Sequence, residues 1–229
     1  TKFSYGLGAL GKDFACSIVY LFLMYYYTDV AGVPAAFVGT LFLVVRMIDA
    51  VSDPVMGMIV DNTRSRFGKF RPWIVLGTVI NSLALLALFS AHLFSGLQLL
   101  LFVTVTYIVW GLTYTIMDIP FWSIVPALSA RREERERLVV WPRLFASIAW
   151  TIIGTYGLAS IAFLGRGEEG RGFLLLSGLI IIAFLASALI TFSQVKERVA
   201  TQVTIERFSF GDVIAILRNN DQLASLIGC

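Results

Sequence analysis

The sequence predicts an all-α membrane protein, a bundle of six transmembrane helices. Hydrophobic residues make up 58% of the 229 residues and charged residues only 14%, well below the roughly one quarter that covers a soluble domain. The mean hydropathy is +0.81. The apolar residues fall in long blocks, and about 20 such residues span the bilayer as a helix. Because backbone polar groups in lipid must pair within their own segment, such blocks indicate helices rather than an open sheet.

Each apolar block is predicted to form one span. In chain order the blocks cover residues 5–27, 34–60, 73–94, 97–128, 144–164 and 173–192. Together they define a six-helix bundle over residues 1–193. The polar, amphipathic segment 194–222 is predicted to be a cytoplasmic middle loop, and the apolar run 223–229 is expected to be the truncated start of a seventh helix.

The basic residues predict the orientation of the bundle. Lys2 precedes the first block, and lysine and arginine are frequent after the second, fourth and sixth blocks, whereas the opposite loops hold only Arg166 and Arg171. Because cytoplasmic loops carry the excess of these residues, both ends are expected in the cytoplasm. The net charge of +3 is therefore a topology signal and predicts no nucleic-acid partner. The mixed-sign run 131–137 is most simply a solvated loop helix.

Charged residues inside the apolar blocks are the candidates for chemistry. They are Lys12, Asp13, Arg46, Asp49, Asp53 and Asp118. Each costs about 2.5–3.5 kcal/mol at the bilayer centre, so such residues persist where they pair or where they face water or a ligand. The alternative to a functional role is that they form salt bridges that hold the bundle together.

Helical spacing gathers these residues into one polar stripe on each of three helices, because residues three and four apart are neighbours on a helix surface. The stripes are Lys12, Cys16 and Tyr20 with Asp13 beside them, then Arg46, Asp49 and Asp53, and then Tyr114, Thr115, Asp118 and Trp122. Burying the three stripes together would create a common polar cavity, and the sequence predicts one.

Asp49 and Asp53 predict a cation site. They lie one turn apart and would repel each other without a positive charge between them, and Arg46 screens them only in part. Oxygen ligands suit hard ions, so a small monovalent cation is the better solution, and a proton held by the close pair is another. The predicted ion is Na⁺, Li⁺ or H⁺, and no other cofactor is expected.

The remaining polar residues suit a neutral polyhydroxyl ligand such as a sugar. Carboxylates accept hydroxyl protons, lysine and arginine donate to oxygen, and aromatic rings stack on the apolar face of a ligand. The set comprises Lys12, Asp13, Tyr20, Tyr114, Asp118, Trp122 and Arg143. For the aromatic members the alternative is a place in the interfacial belts of the membrane.

Three other patterns carry less weight. The G-x-G-x-x-G at residues 6–11 lacks the strand that a dinucleotide site needs, so it favours close helix packing. Pro120 removes a backbone hydrogen bond beside Asp118 and allows a kink there. An intramembrane hydrolase could use paired aspartates as acid and base, but Asp49 and Asp53 share one helix and no oxyanion or metal constellation accompanies them.

Four segments carry a resemblance to a known family. They are residues 4–14 (SYGLGALGKDF), 24–29 (MYYYTD), 64–73 (RSRFGKFRPW) and 113–122 (TYTIMDIPFW). They closely resemble the melibiose permeases, which belong to the glycoside–pentoside–hexuronide cation symporters of the major facilitator superfamily. The resemblance runs from the first residue to about residue 160 and returns near residues 220–223.

The resemblance implies a fold, an activity and a set of site residues. The chain would be the amino-terminal half of a multi-pass symporter of the bacterial cytoplasmic membrane that moves a galactoside such as melibiose with a cation. Its partners would be the sugar, the monovalent cation, the lipid bilayer and the missing carboxy-terminal six-helix half. The sugar-binding residues would be Lys12, Asp13, Tyr20, Tyr114, Asp118, Trp122, Arg143 and Ala146. The cation-binding residues would be Asp49, Ser52, Asp53 and Thr115.

Three departures from the family pattern matter. Ser52 stands where Na⁺-using melibiose permeases usually have asparagine, which leaves H⁺ and Li⁺ open as coupling ions. Cys16 stands where isoleucine is usual beside the sugar. The third departure is length: the family has twelve helices, and this sequence is expected to reach only the start of the seventh. Alternating access needs two bundles that rock against each other. The alternative function is therefore a membrane half-protein or scaffold that at most binds ligand.

Overall fold

Every element in the described part of the chain is helical. A computed structural model describes residues 2–129 and 131–195, so the predicted seventh helix and the predicted middle loop beyond Val195 lie outside the described residues. The elements are α1 Lys2–Tyr25, a π-helical turn Tyr26–Val30, α2 Ala35–Asn62, α3 Arg71–Leu88, a 3₁₀ turn Ala91–Leu93, α4 Gly96–Ser123, a short α5 Val125–Leu128, α6 Arg132–Gly165 and α7 Glu169–Gln194.

The six predicted spans are confirmed. They correspond to α1 with its π-helical turn, α2, α3, α4, α6 and α7, and each is long and apolar enough to cross a membrane. Most helix ends differ from the predicted block ends by a few residues. The third and fourth spans end earlier than the predicted residues 94 and 128, at Leu88 and Ser123, and the chain continues in the 3₁₀ turn and in α5. At most other ends the helix extends beyond its block, because hydropathy marks the apolar part of a helix and backbone hydrogen bonding continues past it. For example, α3 begins with Arg71 and Pro72, and proline is well tolerated in a first turn because its missing N–H needs no partner there.

The fifth span begins earlier than predicted. The prediction placed its start at residue 144, whereas α6 begins at Arg132 and runs for 34 residues. The mixed-sign run is helical and mostly exposed, as predicted, but it is the first part of this span and not a separate loop helix. Glu133 and Glu134 lie in the first turn, where carboxylates complement the helix dipole. Ser129 Oγ donates to Glu134 Oε2 at 2.6 Å.

The central helix of the bundle is α1. In its most apolar stretch 67% of the residues are buried, against 17% in α2, and α1 packs closely on α6 and α7. A Cβ at Gly11 would lie 2.8 Å from the carbonyl oxygen of Ala183, and one at Gly6 would lie 2.7 Å from the Phe145 ring. The glycines of residues 6–11 therefore serve close helix packing, which confirms that prediction.

Buried hydrogen bonds attach α4 to its neighbours. The fully buried Asn81 of α3 donates from Nδ2 to the Trp110 carbonyl oxygen at 2.9 Å. At the other end of α4, Tyr5 Oη of α1 donates to the Phe121 carbonyl oxygen at 2.6 Å. Polar bonds of this kind hold membrane helices together by about 1 kcal/mol each. They hold the depth and rotation of α4, which carries four of the predicted site residues.

Candidate functional site

The predicted site residues lie on four helices and fall into two groups. The first group, predicted to bind sugar, comprises Lys12, Asp13 and Tyr20 on α1, Tyr114, Asp118 and Trp122 on α4, and Arg143 and Ala146 on α6. The second group, predicted to bind a cation, comprises Asp49, Ser52 and Asp53 on α2 and Thr115 on α4.

Lys12 and Asp118 form the central contact of the first group. Lys12 is only 3% exposed, and its Nζ donates to Asp118 Oδ1 at 2.5 Å. The Asp118 side chain is 25% exposed, so this ion pair lies at the edge of an opening and is not sealed inside the bundle. Because a buried ammonium group needs a compensating carboxylate, the pair joins α1 to α4 at this depth.

Aromatic rings surround the lysine. Lys12 Nζ lies 5.0 Å from the ring centroid of Trp122, 5.1 Å from that of Phe121 and 5.8 Å from that of Tyr114. The negative face of an aromatic ring attracts a cation at these distances. The structure therefore brings Tyr114 and Trp122 together with the Lys12–Asp118 pair, as the helical spacing predicted.

Asp13 lies beside this pair and is held from a fourth helix. Its Oδ1 accepts a hydrogen bond from Trp150 Nε1 of α6 at 3.2 Å. Its Oδ2 lies 3.9 Å from Lys12 Nζ and has no hydrogen-bond partner within the described residues, although it is buried. Buried carboxylate oxygens are rarely left without a donor, so this oxygen is a hydrogen-bond acceptor that the described residues leave unused.

Tyr20 connects the first group to α2. Its Oη accepts a hydrogen bond from Arg46 Nη2 at 2.5 Å, and the Arg46 guanidinium carbon lies 5.0 Å from its ring centroid. The ring also lies 6.2 Å from that of Trp110 and 6.1 Å from that of Trp150. The tyrosine is 47% exposed, so one side of this aromatic cluster is accessible.

The α6 members of the first group are placed differently. Arg143 is exposed, and among residues 2–129 and 131–195 its guanidinium makes no hydrogen bond or ion pair. Ala146 and Trp150 follow at i+3 and i+7, which puts all three on one face of α6. Trp150 contacts Asp13 from this face, but within the described residues the structure shows no hydrogen bond or ion pair that brings Arg143 to the Lys12–Asp118 pair.

Asp53 and Thr115 join α2 to α4 in the second group. Thr115 Oγ1 donates to Asp53 Oδ1 at 2.9 Å. Asp53 has no lysine or arginine partner in the part of the chain that the structure describes. A carboxylate stabilised only by a neutral hydroxyl keeps its charge available for a cation.

Asp49 has a weaker partner than Asp118 has. Arg46 Nη1 lies 3.5 Å from Asp49 Oδ2, at the limit of a hydrogen bond, and Asp49 Oδ1 is buried without a partner among the described residues. Ser52 Oγ donates to the Asp49 carbonyl oxygen at 3.3 Å. A Cβ at Gly111 of α4 would lie 3.3 Å from Asp49 Oδ1, so a glycine is what allows α4 to approach this carboxylate.

The second group lies beside an apolar surface. Ser52 and Thr115 form part of the wall of an open groove of about 820 Å³ between α2, α3 and α4, and apolar residues such as Met47, Val51 and Trp73 form the rest. Within the described residues, no group of three or more His, Cys, Asp or Glu side chains is arranged to hold a metal ion. The candidate cation ligands are therefore two carboxylates and two hydroxyls, a donor set that suits a hard ion.

Sequence analysis did not single out Trp150 or Trp110. The Trp110 ring stacks on Tyr114 with centroids 5.4 Å apart, and its indole N–H is buried without a partner within the described residues. Helical spacing holds the signal that could have found both. Trp110 lies one turn before Tyr114, and Trp150 lies one turn after Ala146.

Comparison with known proteins identifies the family. The family described as MFS/sugar transport protein matches residues 4–229. The chain therefore belongs to the MFS/sugar transport protein family, a family of multi-pass membrane transporters. This agrees with the six spans, and it removes the intramembrane hydrolase alternative because the family consists of transporters and not of enzymes.

Curated relatives support the same assignment. The chain is 33% identical over 226 residues to the uncharacterized symporter YnaJ of Bacillus subtilis (strain 168), which covers 96% of this chain and 49% of the relative. It is 32% identical over 205 residues to the inner membrane symporter YicJ of Escherichia coli (strain K12), covering 89% and 44%. It is 34% identical over 207 residues to the isoprimeverose transporter of Lactiplantibacillus pentosus, covering 87% and 42%. The chain spans about half the length of the curated relatives it matches.

Proposed function

We propose that the chain is the amino-terminal half of a cation-coupled sugar symporter, and that its sugar is a galactoside such as melibiose. The first group of residues binds the sugar, and the second group binds Na⁺, Li⁺ or H⁺. The family and the relatives named as symporters support coupled sugar transport. The four-segment resemblance to the melibiose permeases supports the galactoside.

The observation that carries the proposal is the presence of four carboxylates on three apolar helices that side-chain bonds join to one another. Asp13, Asp118, Asp49 and Asp53 come from α1, α4 and α2, and the bonds through Lys12 and Thr115 both reach α4 within one of its turns. Each charge is costly in lipid. Salt bridges alone account for the cost at Asp118, but they leave Asp53 without a cationic partner within the described residues.

In the sugar site, a neutral ligand replaces contacts that the protein makes with itself. Lys12 donates and Asp118 accepts, so hydroxyls of the sugar can bridge the two without changing the net charge of the site. Trp122, 5.0 Å from Lys12, offers a ring face to the apolar side of the sugar. Asp13 supplies its open Oδ2, and Arg143 and Ala146 border the site from α6.

In the cation site, the ion supplies positive charge where the described residues place no cationic side chain at Asp53 and only a distant one at Asp49. Asp53 and Asp49 are the anionic ligands, and the hydroxyls of Thr115 and Ser52 complete the donor set. Arg46 contacts both Asp49 and Tyr20, so a cation at Asp49 competes with an arginine that also contacts the sugar site. Sugar and cation then tighten each other's binding reciprocally, typically by about 1–3 kcal/mol.

The proposal includes the rest of the molecule. A second six-helix half completes the transporter. Both ends of the chain lie on the cytoplasmic side of a bacterial inner membrane, as the distribution of Lys and Arg supports. The competing function is a membrane half-protein that binds ligand without transporting it.

The test is calorimetric titration and uptake with the full-length protein in proteoliposomes. Melibiose should bind, and saturating Na⁺ or Li⁺, or low pH, should raise its affinity about tenfold, which corresponds to the coupling energy above. Asp118→Ala should abolish sugar binding while the protein still inserts. Asp61→Ala is the matched control, because Asp61 pairs with Lys69 at 2.7 Å on the surface.

The outcomes separate the candidates. Cation-stimulated binding together with uptake supports the symporter. Binding without uptake supports the half-protein, and unchanged galactoside affinity in Asp118→Ala refutes the sugar site. The absence of binding by any of a panel of disaccharides and hexoses refutes the proposed function as a whole.

A further inference from the structure

Trp150 of α6 reaches the candidate sugar site. Its indole N–H donates to Asp13 Oδ1 at 3.2 Å, and its ring lies 6.1 Å from that of Tyr20. One side chain thus contacts two of the predicted sugar residues at once. Neither the cavity prediction nor the family resemblance assigned it a role.

Trp150 and Lys12 compete for Asp13. Lys12 Nζ lies 2.5 Å from Asp118 Oδ1 but 3.9 Å from Asp13 Oδ2. Asp13 is the farther of the two carboxylates even though it is the next residue in the sequence, and it is only 8% exposed. In a medium of low dielectric constant an ammonium group draws every nearby carboxylate toward it. The hydrogen bond from Trp150 opposes this pull on Asp13 from the opposite side, and it leaves Oδ2 buried without a donor in the described part of the chain.

We propose that Trp150 is a positioning residue that sets the sugar specificity of the site. By holding Oδ1, it keeps Asp13 apart from Lys12 and presents Oδ2 as a single acceptor in a fixed place, which one hydroxyl of the ligand occupies. The inference rests on the proposed sugar site. It adds that one particular hydroxyl of the sugar is recognised, and that α6 and not α1 decides where that hydroxyl must lie.

The loss of the indole N–H has a specific consequence. In Trp150→Phe the ring remains to pack on Tyr20, but Asp13 is free to turn toward Lys12. The recognised hydroxyl then loses its acceptor in the protein, whereas the contacts of the other hydroxyls with Lys12 and Asp118 remain. Selectivity for one hydroxyl falls, and a uniform loss of affinity is not expected.

The experiment measures the affinities of galactose and its monodeoxy analogues by competition with melibiose in proteoliposomes of the full-length protein. In the unchanged protein, one analogue should bind about tenfold or more weakly than galactose, because a hydrogen bond to a charged group is worth that much. In Trp150→Phe this ratio should fall to about twofold, while the ratios for the other analogues stay the same. Trp150→His, which retains an N–H donor, should restore part of the lost ratio.

Trp141→Phe is the matched control. Trp141 lies on the same helix, packs on Phe3 with centroids 6.3 Å apart, and has no contact with Asp13 among the described residues. It should leave every ratio unchanged. The inference is wrong if Trp150→Phe leaves the discrimination intact or weakens all sugars equally. An unchanged protein that binds no sugar refutes the proposed function and with it this inference, so the two failures are distinguishable.

Discussion

The two groups of carboxylates within the apolar helices differ in how the protein neutralises them. In the first group, Lys12 is almost fully buried and lies 2.5 Å from Asp118 and 3.9 Å from Asp13. In the second group, the side chain of Arg46 is 56% exposed and lies 3.5 Å from Asp49 alone. Among the described residues, Asp53 receives only the hydroxyl of Thr115.

This difference supports the proposed roles of the two groups, a neutral ligand at the first and a cation at the second. A carboxylate already paired with a buried ammonium group gains little from another cation, but it still accepts hydroxyl protons. A carboxylate in lipid with a distant or neutral partner keeps most of its desolvation cost, and a cation reduces that cost.

Removal of the buried lysine should damage the first group most. Lys12→Met leaves Asp118 and Asp13 without their common partner, and breaking a buried pair in this way costs about 3–5 kcal/mol. Sugar affinity should fall at least a hundredfold, with a lower temperature of thermal unfolding. Lys69→Met, at the surface pair with Asp61, should change stability by less than about 1 kcal/mol. Normal sugar affinity in Lys12→Met would show that Lys12 does not hold the carboxylates of the first group in place for the sugar.

Asp53→Cys should eliminate the stimulation of sugar binding by cations and leave the cation-free sugar affinity nearly unchanged. Removal of the carboxylate without a cationic partner deletes the main anionic ligand of the second group. Galactoside binding should be titrated with and without saturating Na⁺ or Li⁺ and at two pH values. Its stimulation should be lost while the basal affinity changes by no more than about threefold, because within the described residues the Asp53 carboxylate bonds across the helices only to Thr115 and not to the first group. Persisting stimulation would show that the cation binds elsewhere.

Thr115→Val should lower the affinity for the cation without abolishing its coupling to sugar binding. The substitution keeps the shape of the side chain and removes the hydroxyl that donates to Asp53 at 2.9 Å. A hydrogen bond to a charged group is worth about tenfold in affinity, and the cation concentration for half-maximal stimulation should rise by about that factor. Thr104→Val is the control, because the Thr104 hydroxyl bonds only to the Leu100 carbonyl of its own helix. An equal effect of the two substitutions would contradict the assignment.

Gly111→Ala should have the smallest effect. The added Cβ would lie 3.1 Å from Val45 Cγ1 and 3.3 Å from Asp49 Oδ1, so α2 must move by a few tenths of an ångström. We expect a few-fold loss of cation affinity and no change in cation-free sugar binding, measured by the same titrations. Gly178→Ala, where a Cβ meets nothing within 4 Å, is the control. If Gly111→Ala weakened sugar binding alone, Asp49 would belong to the first group.

The positions of the spans could be predicted because they depend on a local property. Hydrophobicity and length decide whether a segment crosses the bilayer, so each of the six spans was found from its own residues. The start of α6 was missed for a related reason. Its first turns carry charge, and hydropathy does not report a helix that continues into water, whereas the carboxylates of its first turn stabilise one.

The candidate site could be predicted in part. The stripes on α1, α2 and α4 follow from helical spacing, and the structure brings Lys12 to Asp118 and Asp53 to Thr115. Their roles in binding remain predictions. The contact between Trp150 and Asp13 was not predicted, because these residues are 137 positions apart and nothing local to either one indicates the other.

The sequence by itself determined which segments cross the membrane, which residues share a face and how many charges must be accommodated in lipid, because these follow from composition and from the helical repeat. Only the tertiary structure decided which charges meet. Rotation and depth of each helix depend on contacts such as Gly11 against Ala183 and Asn81 against Trp110. Those contacts leave Lys12 with two carboxylates and Asp53 with a hydroxyl, a division that arises from packing between helices and not from the pattern along any one of them.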